Sequence, residues 1–246
     1  MSGHSKWHNI QAKKGKTDAA RAAVFTKIGR ELAVAAKGNP NPDTNSKLAD
    51  VIAKAKAANM PNDNIKRSIA KAAGEMGDKD YKGLVYEGYG VAGAAVIIKT
   101  LTDNVNRTAG DIRSAMGKCG GQMGQTGCVS YMFDNKGLFV IERTVALDED
   151  TMMEYCLEAE AEDFVTEDDV YEVYTTPEKW SQARAYFESK GVTFLEAEIK
   201  MIPQNYITLD GDKLETFTKM LDKLNELDDV QDVYHNVELP EEPDED

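Results

Sequence analysis

The sequence predicts an α+β fold in three domains: an N-terminal basic helical domain, a discontinuous α+β domain, and a ferredoxin-like domain inserted into the second. Apolar residues recur at helical spacing through the first third of the chain. Strand and helix patterns then alternate, with the order β-α-β-β-α-β over residues 137–203. The charge divides as well: residues 1–79 hold 15 Lys and Arg against 7 Asp and Glu, whereas the remainder holds 14 against 36.

The basic helical domain, residues 1–79, is predicted to contain three helices. The first, from Asp18 to Lys37, has one apolar side formed by Val24, Phe25, Ile28, Leu32 and Ala35. A loop rich in Gly, Asn and Pro ends this helix, and a second follows at about 44–58. The third starts near Pro61 and ends before Gly74, where a linker to Gly83 is expected.

The discontinuous α+β domain is assigned to residues 80–135 and 204–238. Its predicted elements are a strand at 94–101, a helix capped by Asp103 or Asn104, strands at 128–133 and 230–239, and a helix at 213–226. Chain continuity then requires that the domain between these two pieces is an insertion.

The inserted domain, residues 136–203, is predicted to begin after a turn at Asp134-Asn135-Lys136. Its strands are expected at 137–143, 163–167, 170–176 and 193–203, and its helices from Asp148 to about Ala159 and from Pro177 to about Gly191. The acidic tail, residues 239–246, is predicted to be disordered.

Composition excludes several classes of protein. No window approaches the roughly 18 uninterrupted apolar residues of a membrane span, and no secretory signal opens the chain, so a cytoplasmic protein is expected. The three cysteines show no metal-binding spacing and are interpreted as free thiols. His4 and His8 have no acidic or thiol ligand near them, so no metal is expected.

Neither glycine motif indicates a cofactor. Gly88-Tyr89-Gly90-Val91-Ala92-Gly93 matches the dinucleotide pattern but precedes a strand, so it is interpreted as a loop or bulge. The cluster from Gly120 to Gly127 lacks a lysine and leads into a strand; it is interpreted as a flexible connection whose backbone amides could contact an anion. The acidic clusters look solvated, and no catalytic constellation is found.

The first 37 residues are the strongest functional signal, because they hold eight basic residues against two acids in a chain of net charge -14. One interpretation is that these cations only keep a small domain soluble. The other is that they bind a polyanion, with Trp7 stacking on an unpaired base. The predicted nucleic-acid contacts are Lys6, Trp7, His8, Lys13, Lys14, Lys16, Arg21, Lys27, Arg30, Lys66 and Arg67.

The inserted domain is acidic, with 17 acids against 6 bases over residues 136–203. This charge would repel RNA, although the strand order is shared with RNA-recognition modules. The domain is therefore predicted to contact a protein or a basic patch of a larger assembly.

Several segments together resemble the YebC family in collinear order along the whole chain. They are GHSKW (3–7), FTKIGREL (25–32), NMPNDNIKRSI (59–69), YEGYG (86–90), TDNVNRTAGDIR (102–113), the glycine cluster and YHN (234–236). The resemblance implies one helical and two α+β domains. Val91 stands where proline is common in the family, and Glu160 stands where glycine is common. These departures bear on the local detail of a loop and a helix.

Two functions follow from the resemblance. The family is generally labelled as DNA-binding transcriptional regulators, which implies a regulator that binds DNA through the basic domain. Other members are linked to the ribosome and to relief of stalling at proline runs, and the mitochondrial members are translational activators of cytochrome oxidase synthesis. The alternative is therefore a translation factor that binds ribosomal RNA while its acidic domains contact ribosomal proteins. If the protein is instead a DNA-binding regulator, the acidic domains are expected to contact transcription proteins. A metabolic enzyme is a third, disfavoured hypothesis.

Overall fold

The computed structural model describes residues 18–73, 81–144 and 147–240, and the structural statements below concern these residues. Their helices are α1 (Asp18–Ala36), α2 (Ser46–Ala57), α3 (Asn62–Ala73), α4 (Val105–Gly117), α5 (Glu149–Glu158), α6 (Pro177–Ser189) and α7 (Gly211–Asn225). Their strands are β1 (Lys82–Tyr89), β2 (Ala95–Thr102), β3 (Gln122–Met123), β4 (Phe133–Glu142), β5 (Asp163–Thr166), β6 (Val170–Thr175), β7 (Glu196–Pro203), β8 (Ile207–Thr208), β9 (Val230–His235) and β10 (Val237–Glu238). The mixture of helices and antiparallel sheets confirms the predicted α+β class. No helix in these ranges is long and apolar enough to cross a membrane.

Helices α1, α2 and α3 form the helical region, which packs around one small apolar core. α1 buries Ile28 and Leu32, which lie on one helix face, and contacts both other helices. α2 begins where the Asn45 side chain accepts a hydrogen bond from the Leu48 amide at 3.2 Å. Leu48 and Ile65 contribute to the same core from α2 and α3. The three predicted helices are confirmed to within two residues at each end.

The first sheet has the strand order β3-β1-β2-β9, and its neighbours are antiparallel. Helices α4 and α7 pack on it through a buried apolar cluster that includes Val96 and Ile98 of β2, Ile112 of α4 and Phe217 of α7. Alternate residues of β2 supply this cluster because successive side chains of a strand point to opposite faces.

Strand β1 is an element that the sequence analysis does not predict. The glycines around it favour a linker up to Gly83 and a loop at Gly88, yet β1 pairs with β2 along its whole length. A Cβ atom added at Gly88 would lie 2.4 Å from the carbonyl oxygen of Gln122 in β3. Glycine is therefore needed here because the neighbouring backbone approaches closely, and it does not mark a break in the strand.

The segment from 128 to 136 differs from its prediction. The expected strand at 128–133 is wrong, because Ser130–Met132 form a 3-10 turn. The expected turn at 134–136 is wrong too, because β4 runs through these residues. Asp134, Asn135 and Lys136 pair with residues of β7, and this long ladder overrides their local preference for a turn.

The inserted unit, residues 133–204, has the four-stranded antiparallel order β5-β6-β4-β7. Together with α5 and α6 this is the β-α-β-β-α-β arrangement expected from the sequence. The Phe139 ring of β4 stacks on Trp180 of α6 at a centroid distance of 5.8 Å. The start of α6 is also as predicted, with Thr176 as N-cap and Pro177 in the first turn.

The last predicted strand, 230–239, is divided into two. β9 joins the first sheet, whereas β10 pairs in parallel with β8. Asn236 separates them and is buried; its side-chain oxygen accepts a hydrogen bond from the Ala95 amide at 2.8 Å. The YHN segment thus has a structural role at the start of β2.

Two compact units are present: the inserted unit, and a second unit that contains both the helical region and the first sheet. The division into domains at 1–79, 80–135 with 204–238, and 136–203 stays a prediction. The predicted disordered tail falls, beyond residue 240, outside the described residues.

Candidate nucleic-acid interface

The exposed charge of the helical region is predominantly positive. Among the side chains described between residues 21 and 71, seven exposed ones are cationic and only Asp43 and Asp63 are exposed acids. The cations are Arg21, Lys37, Lys47, Lys56, Lys66, Arg67 and Lys71. A polyanion that approaches this region would therefore meet mainly positive charge.

Three of the residues predicted to contact nucleic acid belong to this exposed set. Arg21 lies in the first turns of α1, and Lys66 and Arg67 are consecutive in α3. Six other predicted contacts lie in the first 17 residues, here called the arm, which are outside the described residues: Lys6, Trp7, His8, Lys13, Lys14 and Lys16. Their contacts with nucleic acid stay a prediction.

Lys27 and Arg30 are partly buried, unlike the exposed cations. Lys27 bonds to the last residue of α7, and Arg30 bonds to residues that follow this helix. Lys27 Nζ donates to the carbonyl oxygen of Asn225 at 2.9 Å. Arg30 donates to Asp229 Oδ1 at 2.8 Å and also to the carbonyl oxygen of Asp228. Burial lowers the pKa of Lys27, and the attraction of nearby acids only partly opposes this. Contact of these two residues with nucleic acid stays a prediction, and it would have to replace these bonds.

Asp229 is the centre of this contact, and sequence reasoning missed it. Its Oδ2 atom accepts hydrogen bonds from Arg107 at 2.7 Å, from the Thr108 hydroxyl at 2.8 Å and from the Thr102 hydroxyl at 3.1 Å. Burial by itself would raise the pKa of Asp229, but these hydrogen bonds and the charge of Arg107 outweigh it and lower that pKa. The available signal was the TDNVNRTAGDIR segment, which supplies all three donors.

A cleft of about 470 Å³ opens beside this ion pair. Its lining includes five carboxylates and two arginines, Arg30 and Arg107, that already bond to Asp229. The excess of negative charge makes the cleft unsuited to a phosphate backbone.

Amides at the end of the glycine cluster and directly after it bind an anion, and the anion is a side chain of the same chain. The Glu87 carboxylate is 4% exposed and accepts hydrogen bonds from the amides of Gly127, Val129 and Ser130 at 2.8–2.9 Å. Burial would raise the pKa of Glu87, but the three amides lower it below its ordinary value. The segment is thus tied to β1, in contrast to the flexible connection that its composition indicates.

No group of three or more His, Cys, Asp or Glu residues that could hold a metal ion is found in the described ranges. His4 and His8 lie outside those ranges. His235 stands beside the Phe217 ring at a centroid distance of 5.3 Å, and burial lowers its pKa to about 4. The absence of a metal and of a catalytic site both stay predictions.

Comparisons with known proteins match the chain along nearly its full length. The family model "TACO1/YebC protein N-terminal domain" matches residues 5–75, and "TACO1/YebC second and third domain" matches residues 81–237. Proteins called "Probable transcriptional regulatory protein" are 59% identical in Clostridium botulinum (strain Okra / Type B1), over 98% of both chains, and 57% identical in Hathewaya histolytica, again over 98% of both. A crystal structure of a conserved hypothetical protein from Aquifex aeolicus superposes with a TM-score of 0.83 at 39% identity, covering 98% of this chain and 100% of that one.

Proposed function

This chain belongs to the TACO1/YebC family, and we propose that it is a non-enzymatic regulator of gene expression that binds nucleic acid through its basic N-terminal region. The observation that carries the proposal is the exposed charge of the helical region, seven cations against two acids between residues 21 and 71. Neutralising phosphates with such cations releases bound counterions, and this release drives association. In this proposal the protein acts in the cytoplasm.

Transcriptional regulation through duplex DNA is the first form of the proposal. The names of the relatives from Clostridium botulinum and Hathewaya histolytica support a regulator of transcription. In this form the cations of the arm and of α3 would contact the DNA backbone, and those contacts would set position rather than read sequence.

Binding to ribosomal RNA is the second form, and the distribution of acids favours it. The inserted unit is strongly acidic over residues 136–203, and a long DNA duplex passing it would be repelled. A folded RNA in a ribosome offers a short, local phosphate surface, and basic ribosomal proteins could face the acidic unit. The factor would then act on translation, including the relief of stalling at proline runs.

The decisive experiment compares the two ligands with one set of proteins. Gel shifts on promoter DNA and co-sedimentation with ribosomes are measured for the full chain and for a Lys13→Glu/Lys14→Glu/Lys16→Glu variant. Binding that involves about six phosphates should weaken about a thousandfold between about 50 and 200 mM salt. The variant should lose binding while its thermal unfolding is unchanged.

The outcomes separate the forms of the proposal. Retention on ribosomes without a DNA shift supports the RNA form, and the reverse supports the DNA form. If the full chain binds neither ligand at low salt, the proposed function is wrong.

A further inference from the structure

Two exposed tyrosines lie close together in the second unit, in and beside the first sheet. Tyr131 is 70% exposed and Tyr89 is 37% exposed, and no other aromatic side chain in the described part of the chain is exposed. The Tyr89 hydroxyl reaches the segment that carries Tyr131, because it donates to the carbonyl oxygen of Cys128, three residues earlier in the chain. Large apolar rings on a surface are usually scattered singly, so the pairing of these two calls for an explanation.

Hydrogen bonds hold the backbone segments that carry both rings. The Tyr89 hydroxyl donates to the carbonyl oxygen of Cys128 at 2.8 Å, and Tyr89 itself is the last residue of β1. Tyr131 lies in the 3-10 turn directly after the segment whose amides bind Glu87. The Gly124 amide adds another bond, to the Glu87 carbonyl oxygen at 2.8 Å. The rings are therefore presented by bonded backbone on both sides.

Tyr131 contributes little to folding at this position. A ring that is 70% exposed removes little apolar surface from water, so burial does not explain why an aromatic residue is there. The bonds of Glu87 that hold the turn involve backbone amides and would be available to any residue at position 131. What the arrangement offers is a largely exposed aromatic side chain near a second exposed tyrosine.

The local charge is compatible with a nucleic-acid ligand. Residues 81–132 hold five Lys and Arg against three Asp and Glu, in contrast to the acidic inserted unit. One of these three acids, Glu87, is buried and bonded to amides, and another, Asp103, pairs with Arg107. Counted along the sequence, the segment that carries both tyrosines is therefore less acidic than the inserted unit.

We propose that Tyr89 and Tyr131 form a stacking platform for an unpaired nucleobase of single-stranded nucleic acid. The inference rests on the proposed function and adds the class of ligand: a strand with unstacked bases. Every base has a flat π face, so stacking on an exposed ring is tolerant of sequence and is lost when the base is paired within a duplex. Tyr131 supplies the more accessible ring.

Fluorescence anisotropy with two probes tests the platform. The first probe is an unstructured, fluorescein-labelled RNA of about 12 nucleotides, within the range bound by single-stranded-binding modules. The second is a duplex of the same strand. The full chain is compared with its Tyr131→Ala and Tyr131→Phe variants, and with Leu157→Ala, an equally exposed apolar residue of the inserted unit.

The expected result is specific to the ring and to the strand. Tyr131→Ala should weaken binding of the single strand about tenfold and leave duplex binding unchanged. Tyr131→Phe, which keeps the ring, and Leu157→Ala should both bind like the unmodified protein. Photocrosslinking of an RNA that contains 5-iodouridine should label Tyr131 or Tyr89.

Other results would overturn the inference. Equal affinity of Tyr131→Ala and the unmodified protein for the single strand removes the platform but leaves the proposed function intact; the exposed pair would then be assigned to a protein partner. Equal weakening for both probes would show a general effect instead of stacking. If the unmodified protein binds neither probe, the platform is ruled out, whereas the proposed function is decided by the experiment with promoter DNA and ribosomes.

Discussion

Arg30 and Asp229 form an ion pair, with 2.8 Å between Nη1 and Oδ1, that connects helix α1 to the residue before strand β9. The two residues are 199 positions apart in the chain. Asp229 also pairs with Arg107 of α4 at 2.7 Å. One carboxylate therefore joins helix α1 of the helical region to α4 and to the start of β9. The three cations of α1 are therefore divided by their tertiary surroundings: Arg21 is exposed, whereas Arg30 and Lys27 hold the helix in place.

Replacing Asp229 with asparagine should lower the free energy of unfolding by about 2 kcal/mol, because bonds to charged partners are lost at a buried site. Urea denaturation at pH 7 measures the change. A double-mutant cycle that combines this substitution with Arg30→Ala should show an interaction free energy of about 1 kcal/mol, since the two residues are in direct contact.

Glu215→Gln is the matched control for this prediction. Glu215 pairs with Lys219 at 2.6 Å, but both side chains are more than 60% exposed. Exposed ion pairs contribute little to stability, so the urea midpoint should stay at that of the unmodified protein. Equal effects of the two substitutions would contradict the role given to Asp229.

The stability of the protein should depend on His235 between pH 6.5 and pH 4. Burial lowers the pKa of His235 to about 4, while an unfolded histidine has a pKa of about 6.5. Between these values the unfolded chain binds a proton that the folded chain does not bind, so the free energy of unfolding falls as the pH is lowered. The expected contribution is a loss of about 3 kcal/mol across this window.

A His235→Gln variant isolates this effect from the titration of carboxylates. The stability difference between the unmodified protein and the variant should shrink by that amount from pH 7 to pH 4. In NMR spectra, the His235 ring resonances of the folded protein should not shift between pH 7 and pH 5.5. A ring that titrates near pH 6.5 would rule the prediction out.

Charge reversal in α3 should affect nucleic-acid binding and not stability. Lys66 and Arg67 are both exposed, so a Lys66→Glu/Arg67→Glu variant should fold normally. If both residues contact phosphates, the slope of log affinity against log salt should decrease in magnitude by about two. Anisotropy titrations at several salt concentrations give this slope.

Lys213→Glu/Lys223→Glu provides the same change of charge on exposed residues of α7. This control should leave the slope unaltered, because the surrounding segment is acidic. A uniform loss of affinity in both variants would indicate that only the net charge matters, with no specific contact from α3.

Two glycines should respond in opposite directions to alanine. Gly88→Ala places a methyl group 2.4 Å from the Gln122 carbonyl oxygen and should destabilise the protein by about 2 kcal/mol. Gly110→Ala, inside α4, meets no atom within 4 Å and should stabilise it by about 0.5–1 kcal/mol. Thermal unfolding of both variants measures the contrast, and a stable Gly88→Ala protein would contradict the close packing of β1 and β3.

The predictions that succeeded from sequence are those that depend on local pattern. The periodic apolar residues of α1 and the N-cap and proline of α6 mark helices whatever they pack against. The failures have non-local causes. β1 contains glycines that are required by the approach of β3, and Asp134–Lys136 extend a strand because β7 pairs with them.

The same division applies to the candidate site. Counting charges along the chain was sufficient to indicate the cationic N-terminal region and the acidic inserted unit, because net charge does not depend on folding. Which cations are available is a different question. Lys66 and Arg67 remain exposed, whereas Arg30 is bonded to Asp229, and no local pattern relates residues so far apart.

By itself, the sequence determined the α+β class, the element order of the inserted unit and the sign of each region's charge, since these follow from composition and short-range spacing. Only the tertiary structure decided that Asp229 anchors α1, that Glu87 binds amides at and directly after the end of the glycine cluster, and that Tyr89 bonds to the segment that carries Tyr131. Each of these depends on segments that are distant in the chain and become neighbours only when the sheets form.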